Sequence, residues 1–227
     1  MPSPEGAPMY LTRLTLLDHP DLDTILHRLG DAYHEHQTLW NIFDPDPKGK
    51  RDFLYRREMY RGKPRYFILS RRLPVNPLGL WRIDPPKPFM PRLRRGQQLA
   101  FSLRVNPVIN RKGKRHDVVM DRKREIGWKA IPPAERPSLV TIIQEAGIAW
   151  LQKRAETAGF QIVAKAVQVE GYRQHRTWRG GREIRFSTLD FAGLLTVTEP
   201  ATFLDKLCQG IGPAKAFGCG LMMVRPA

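Results

Sequence analysis

Gln209-Gly210-Ile211-Gly212-Pro213-Ala214-Lys215-Ala216-Phe217-Gly218-Cys219-Gly220-Leu221 lies between a short helix and a last strand, and it closes the second of two similar units. Counting back from it, Pro200 to Cys208 reads as that helix, with proline in its first turn. Gly220 to Val224 is the final strand, and Gln161 to Val169 and Ile184 to Val197 are strands before the helix. Further back, Ser138 to about Ala158 is a helix whose apolar face is Leu139, Ile142, Ile143, Ala146, Ala149, Trp150 and Ala155. Leu99 to Ile109 (LAFSLRVNPVI) is the strand that opens the unit. The order βαββαβ is the ferredoxin-like motif.

The first half repeats that order and then departs from it. Met9 to Leu17 is rich in β-formers. Asp21 to Phe43 predicts one helix, because Leu22, Ile25, Leu26, Leu29, Ala32, Tyr33, His36, Leu39, Trp40 and Phe43 recur at spacings of three and four. Phe53 to Tyr60 and Arg65 to Arg71 flank the hairpin turn Arg61-Gly62-Lys63-Pro64. Leu73 to Gly96 then carries six prolines, at positions 74, 77, 85, 86, 88 and 91, a density that gives loop and short extended pieces where a second helix belongs. The expected fold is α+β: two tandem ferredoxin-like, RRM-like domains, the first with a degenerate second helix. The expected division is residues 1–8 as a flexible lead-in, 9–96 as the first domain with the long helix, and 97–227 as the second.

Charge limits the partners. Lys and Arg total 38 against 22 Asp and Glu, a net charge of +16, which points to a polyanion. No apolar run approaches the length of a spanning helix and no lipidation signal is visible, so no membrane partner is expected. Met1 to Pro8 (MPSPEGAP) lacks the basic and apolar regions of a signal peptide. Cys208 and Cys219 are too few for a disulfide framework and are not a CxxC pair. A reduced, cytoplasmic setting is expected.

Three segments carry candidate chemistry. In the closing loop, Gly210, Gly212 and Gly218 let backbone come close to a phosphate that Lys215 could hold. It is no Walker A loop, because Ala216 follows Lys215 where Ser or Thr is needed. The loop alone is also consistent with a plain turn. In the long N-terminal helix, His36 stands where the pattern asks for an apolar residue, with Tyr33 one turn back. A satisfied core histidine is the ordinary explanation; general acid–base work is the functional one. His34 points away from His36 and no carboxylate or cysteine cluster stands near, so neither a metal nor another cofactor is expected.

The third segment is basic. Arg111 to Arg124 (RKGKRHDVVMDRKR) reads as a solvated loop or, through Lys112, Lys114 and Arg115, as a nucleic-acid contact. In Tyr172 to Phe186 (YRQHRTWRGGREIRF), Gly180-Gly181 is a hairpin turn that sets Arg179 opposite Arg182 and Arg176 opposite Arg185. Like charges facing across strands are unfavourable, so an anion is expected between them, and Arg173 extends the same ribbon. RNA or DNA phosphate suits the guanidinium fork.

Several blocks resemble the repeat-cleaving endoribonuclease of the type I-E Cascade complex, the CasE family. They are MYLTRL at Met9, Tyr33-x-x-His36-Gln37-x-x-Trp40, Arg51-Asp52-Phe53-Leu54-Tyr55, Leu103-Arg104-Val105-Asn106-Pro107, and the Gly210 to Lys215 and Gly218 to Leu221 runs. The resemblance implies cleavage of a CRISPR repeat stem-loop in precursor RNA without a metal. It also implies retention of the product as part of the guide RNA and assembly with other Cascade subunits. The family's catalytic His and Tyr fall on His36 and Tyr33. The expected reaction is attack of a ribose 2′-OH on the adjacent phosphate, giving a 2′,3′-cyclic phosphate. His36 would protonate the leaving 5′ oxygen, Tyr33 would orient the ribose or phosphate, and Arg176, Arg179 or Lys215 would stabilise the phosphorane. The lead-in, His34 and the proline-rich stretch depart from the family. The rival reading is a non-catalytic RNA-binding module of a ribonucleoprotein; a DNA-binding regulator lacks a helix-turn-helix or zinc signature.

Overall fold

A computed structural model describes residues 8–44 and 52–227. Most of the expected lead-in, and Arg51, lie outside the described residues. Two antiparallel sheets organise the chain. The first comprises β1 (Tyr10–Leu16), β2 (Phe53–Tyr60), β3 (Lys63–Ser70), β4 (Trp81–Ile83) and β5 (Lys87–Pro88), in the order β2-β3-β1-β4 with β5 also on β1. The second comprises β6 (Gln98–Val105), β9 (Phe160–Arg179), β10 (Arg182–Val197) and β11 (Met222–Pro226), in the order β11-β6-β10-β9. Both orders are the ferredoxin-like one. Between β6 and β9 lie a small hairpin, β7 (Val108–Arg111) with β8 (Lys114–Asp117), and helices α3 (Val118–Glu125) and α4 (Leu139–Ala155). Helix α5 (Pro200–Gln209) precedes β11.

Alternation sets the core. Along β6, Leu99, Phe101, Leu103 and Val105 are all buried and meet Ile142, Trp150 and Leu151 of α4 with Phe203 and Leu207 of α5. In the first unit Leu14, Leu16, Phe53, Tyr55, Tyr66, Ile68 and Trp81 are covered by Leu29, Leu39 and Ile42 from the helical segment. The other face of the first sheet supplies Leu54 and Leu69, which pack with Leu221 and Met223 and so join the two units. Phe89 bonds back to Met9, whereas Gly96 bonds to Val197.

Three expectations need correction. The helix over Asp21 to Phe43 is two helices, α1 (Leu22–Gly30) and α2 (Ala32–Trp40). The chain turns at Asp31, which is extended (φ −92°, ψ 128°) and accepts the N–H groups of Tyr33 and His34 as an N-cap. The apolar spacing runs through this break, so periodicity alone could not see it. The proline-rich stretch, as expected, holds loop and short extended pieces, β4 and β5, and Asn76 bonds both ways to Trp81 at the start of β4. The basic loop is a hairpin turning at Lys112-Gly113, followed by α3, whose N-cap is Asp117. Lastly, β9 and β10 run on far past the sheet: β6 pairs with β10 only from Leu189 to Thr196, and residues Arg182 to Thr188 pair with β9 alone. That extension is a free two-stranded ribbon.

Candidate active site

Helix α2 presents Tyr33, His36, Gln37 and Trp40 along one wall of a cleft of ≈ 660 Å³. The ribbon supplies Arg179 and Ile184 to the same cleft, the closing loop supplies Ala216 and Phe217, and the proline-rich segment supplies Leu78 and Leu80. His36 is half-buried, edge-on to Trp40 (ring centroids 5.7 Å apart) and stacked on Phe53 at 6.0 Å. The Tyr33 hydroxyl accepts a hydrogen bond from Gln37 Nε2 at 2.9 Å. His34 is exposed and bonds to Asp31 at 2.8 Å, away from the cleft lining. Among the described residues no group of three His, Cys, Asp or Glu side chains could hold a metal ion.

Beneath α2 lies a residue that sequence reasoning missed. Glu35 is only 6% exposed. It accepts hydrogen bonds from Tyr66 Oη at 2.7 Å, Arg57 Nη1 at 3.0 Å and Tyr55 Oη at 3.2 Å. Burial pushes its carboxyl above the usual range, against the pull of the Arg57 guanidinium. The same Tyr55 hydroxyl lies 3.1 Å from the carbonyl oxygen of Ala216, which ties the helix under His36 to the closing loop. Position 35 shares its helical face with the buried Leu39 and Ile42, and that spacing was the one available signal.

The glycines of the closing loop shape it. Gly218 (φ +71°) is buried, and a Cβ there would sit 3.0 Å from the Tyr55 ring; one at Gly210 would sit 2.9 Å from Leu54. Residues 212–217, Gly212 and Lys215 among them, are half-buried and form the loop's accessible surface. Between Ala214 and Gly218 the chain makes a single 3₁₀ turn, Lys215–Phe217, at the cleft.

The ribbon register is as expected, with Arg179 opposite Arg182 and Arg176 opposite Arg185. Alternation nevertheless divides the arginines between two faces. Arg173, His175, Thr177 and Arg179, with Arg182 and Ile184 across from them, share the face that meets α2, where the Thr177 hydroxyl donates to Asp31 Oδ2 at 2.8 Å. Arg176, Arg185 and the 63%-exposed Trp178 lie on the other face. There the expected anion is internal: Glu183 stands 2.6 Å from Arg185 and 3.6 Å from Arg176. Lys112, Lys114 and Arg115 are exposed on the small hairpin, outside the cleft lining. Asp117 at its base accepts the hydroxyls of Tyr172 and Ser187, joining it to the ribbon.

Fold and site together define a paired ferredoxin-like protein with a histidine and a tyrosine in a cleft walled by a cationic ribbon. Its sequence matches the family described as CRISPR associated protein over residues 9–226, and the chain belongs to that family. It is 30% identical to the CRISPR-associated endoribonuclease Cse3 of Thermus thermophilus, with 96% of this chain and 100% of that protein covered. It is 30% identical to the CRISPR system Cascade subunit CasE of Escherichia coli, with 86% and 92% covered. A solved structure of Thermus thermophilus Cse3 bound to an RNA representing a pre-cleavage complex is similar at a TM-score of 0.73, with 29% identity and 96% and 100% coverage.

Proposed function

We propose that this chain is an endoribonuclease that binds the stem-loop of a CRISPR repeat in precursor RNA, cuts it once, and keeps the product as a subunit of a guide-RNA complex. The observation that carries the reading is the cleft: His36 and Tyr33 on one wall, Arg179 on the ribbon wall facing them. The RNA's own 2′-OH attacks the adjacent phosphate. Tyr33 orients the ribose or phosphate, His36 gives a proton to the leaving 5′ oxygen, and the phosphate is left as a 2′,3′-cyclic ester. Arg179 on the ribbon wall, with Arg28 of α1 in the same lining, supplies positive charge for the phosphorane, whereas Arg176 lies on the opposite face of the ribbon. Lys215 stands beside Ala216 and Phe217 of the lining and supports the same charge. The stem is held through backbone by the ribbon and by Lys112, Lys114 and Arg115, because an A-form major groove is too narrow to read. A division into units over residues 9–96 and 97–227, and a cytoplasmic setting, complete the reading.

The test is single-turnover cleavage of a repeat hairpin. His36→Ala should lower the rate by about 10²–10⁴ with RNA affinity nearly unchanged. His34→Ala should cut normally. Chelators should leave the rate intact, and a 2′-deoxy substitution at the cut nucleotide should stop cleavage but not binding. Cleavage of the deoxy substrate would place the nucleophile on water or protein. Intact, tightly bound repeat RNA with the unaltered protein would favour the non-catalytic module.

A further inference from the structure

We infer that Phe217 is a stacking platform for one unstacked nucleobase next to the scissile phosphate, an assignment that rests on the cleft being the RNA-cleaving site. The Phe217 ring lies nearly parallel to Phe186, 13° between planes and 4.7 Å between centroids, and Phe186 lies likewise on His175 at 14° and 4.7 Å. One face of Phe217 is thus taken by an aromatic column rooted in the ribbon, and the residue itself lines the cleft beside His36 and Tyr33. The base of that column is fixed by a hydrogen bond between His175 Nε2 and Thr188 Oγ1 at 2.9 Å.

The backbone is arranged to hold Phe217 there. Ala214 is left-handed at φ 57°, a conformation a residue with a Cβ adopts only when its surroundings impose it, and such outliers gather at functional sites. With Gly218, also left-handed, it brackets the 3₁₀ turn. Ala216 in that turn is anchored through Tyr55 to the buried Glu35. A ring meant only for the core would be buried, whereas Phe217 keeps part of its surface open at the cleft.

The cleft's other surfaces agree. Ile25, Leu29, Trp40, Leu78, Leu80 and Ile184 line it, and Leu78 is 62% exposed. Arg28 of α1 and Arg179 of the ribbon are the cations of the lining and would meet phosphates, while the apolar walls between them suit the face of a base. Every base has a π face, so this stacking selects for an unstacked nucleotide more than for its identity.

The experiment is a cycle between protein and RNA. Repeat hairpins carrying an abasic site at each nucleotide flanking the scissile phosphate are cleaved in single turnover by the unaltered protein, Phe217→Leu and Phe217→Trp. At one position, loss of the base should slow the unaltered protein by about 5- to 100-fold in kcat/KM. The same loss should slow Phe217→Leu by no more than about twofold, and Phe217→Trp should recover the full dependence on the base. A merely structural Phe217 would slow intact and abasic RNA by one common factor, and that result overturns the platform. If Phe217→Leu does not fold, the unaltered protein still decides: no abasic penalty at any flanking position overturns the proposal. Failure to cut intact repeat RNA at all would instead strike the proposed function.

Discussion

A carboxylate can be buried beneath a helix only if strong donors surround it. Glu35 has three, from Tyr55, Tyr66 and Arg57. Removing one partner of a fully buried charged pair costs about 3–5 kcal/mol. The Arg57 side chain, however, is 27% exposed and also donates to the Leu29 carbonyl, which holds the loss here to the low end of that range, about 3 kcal/mol. Glu35→Ala is therefore expected to lose that much stability in urea unfolding, and Glu35→Gln, which keeps the shape and an acceptor oxygen, clearly less. A loss in Glu35→Ala below about 1 kcal/mol would mean that water replaces the carboxylate and the network is not structural. At this scale the sequence was legible where one residue broke a pattern. His36 showed itself as a histidine in an apolar phase of the helix. Glu35 did not, because an acidic residue in a helix reads as solvent-facing, and its partners come from strands twenty or more residues away.

At the scale of elements, the junction between α1 and α2 is also the dock for the ribbon. Asp31 caps α2 with one carboxylate oxygen and accepts Thr177 with the other. Losing an aspartate N-cap costs about 0.5–2 kcal/mol, and Thr177, 1% exposed, would also be left with a buried hydroxyl. Asp31→Ala and Thr177→Val should each destabilise, and together should cost less than their sum by at least about 0.5 kcal/mol; strict additivity would show that the two do not communicate. The pH dependence has a definite sign. Burial pushes the Asp31 carboxyl up, but the His34 N–H, the Thr177 hydroxyl and the His34 ring outweigh it and hold it below its usual 3.8. Its contribution is complete above pH 3.8 and is lost as pH falls through the lower folded value, so Asp31→Asn should lessen the acid sensitivity of unfolding. The hairpin turn and register were readable from Gly180-Gly181. That Gln161 to Val169 runs on unbroken into the ribbon was not, since the charged and glycine residues Glu170-Gly171 interrupt the apolar alternation that marks a half-buried strand.

For the whole molecule, the βαββαβ order of the second half, its partial repeat in the first and the +16 charge pointed to paired ferredoxin-like units and a polyanion partner. What stayed hidden was which cations share a surface, because that depends on how the ribbon of one unit lies on the helix of the other. Arg176 and Arg185 are held by Glu183, whereas Arg179 and Arg182 face each other on the α2 side and form no ion pair among the described residues. Replacing Arg179 and Arg182 together with serine should therefore leave the free protein as stable as before, or slightly more stable through relief of like-charge repulsion. Hairpin RNA should bind more weakly, and the slope of log affinity against log salt should flatten by about 0.9 for each phosphate that is no longer neutralised, taking the duplex value. The companion change at Arg176 and Arg185 strips Glu183 of its partners and leaves a carboxylate on the outer face. A comparable flattening of the slope there would mean that RNA embraces both faces of the ribbon; a smaller one would confine it to the cleft side. An Arg179/Arg182 variant that melts earlier, binds hairpin RNA as tightly and keeps its salt slope would make the ribbon a structural strut, with the phosphates met elsewhere.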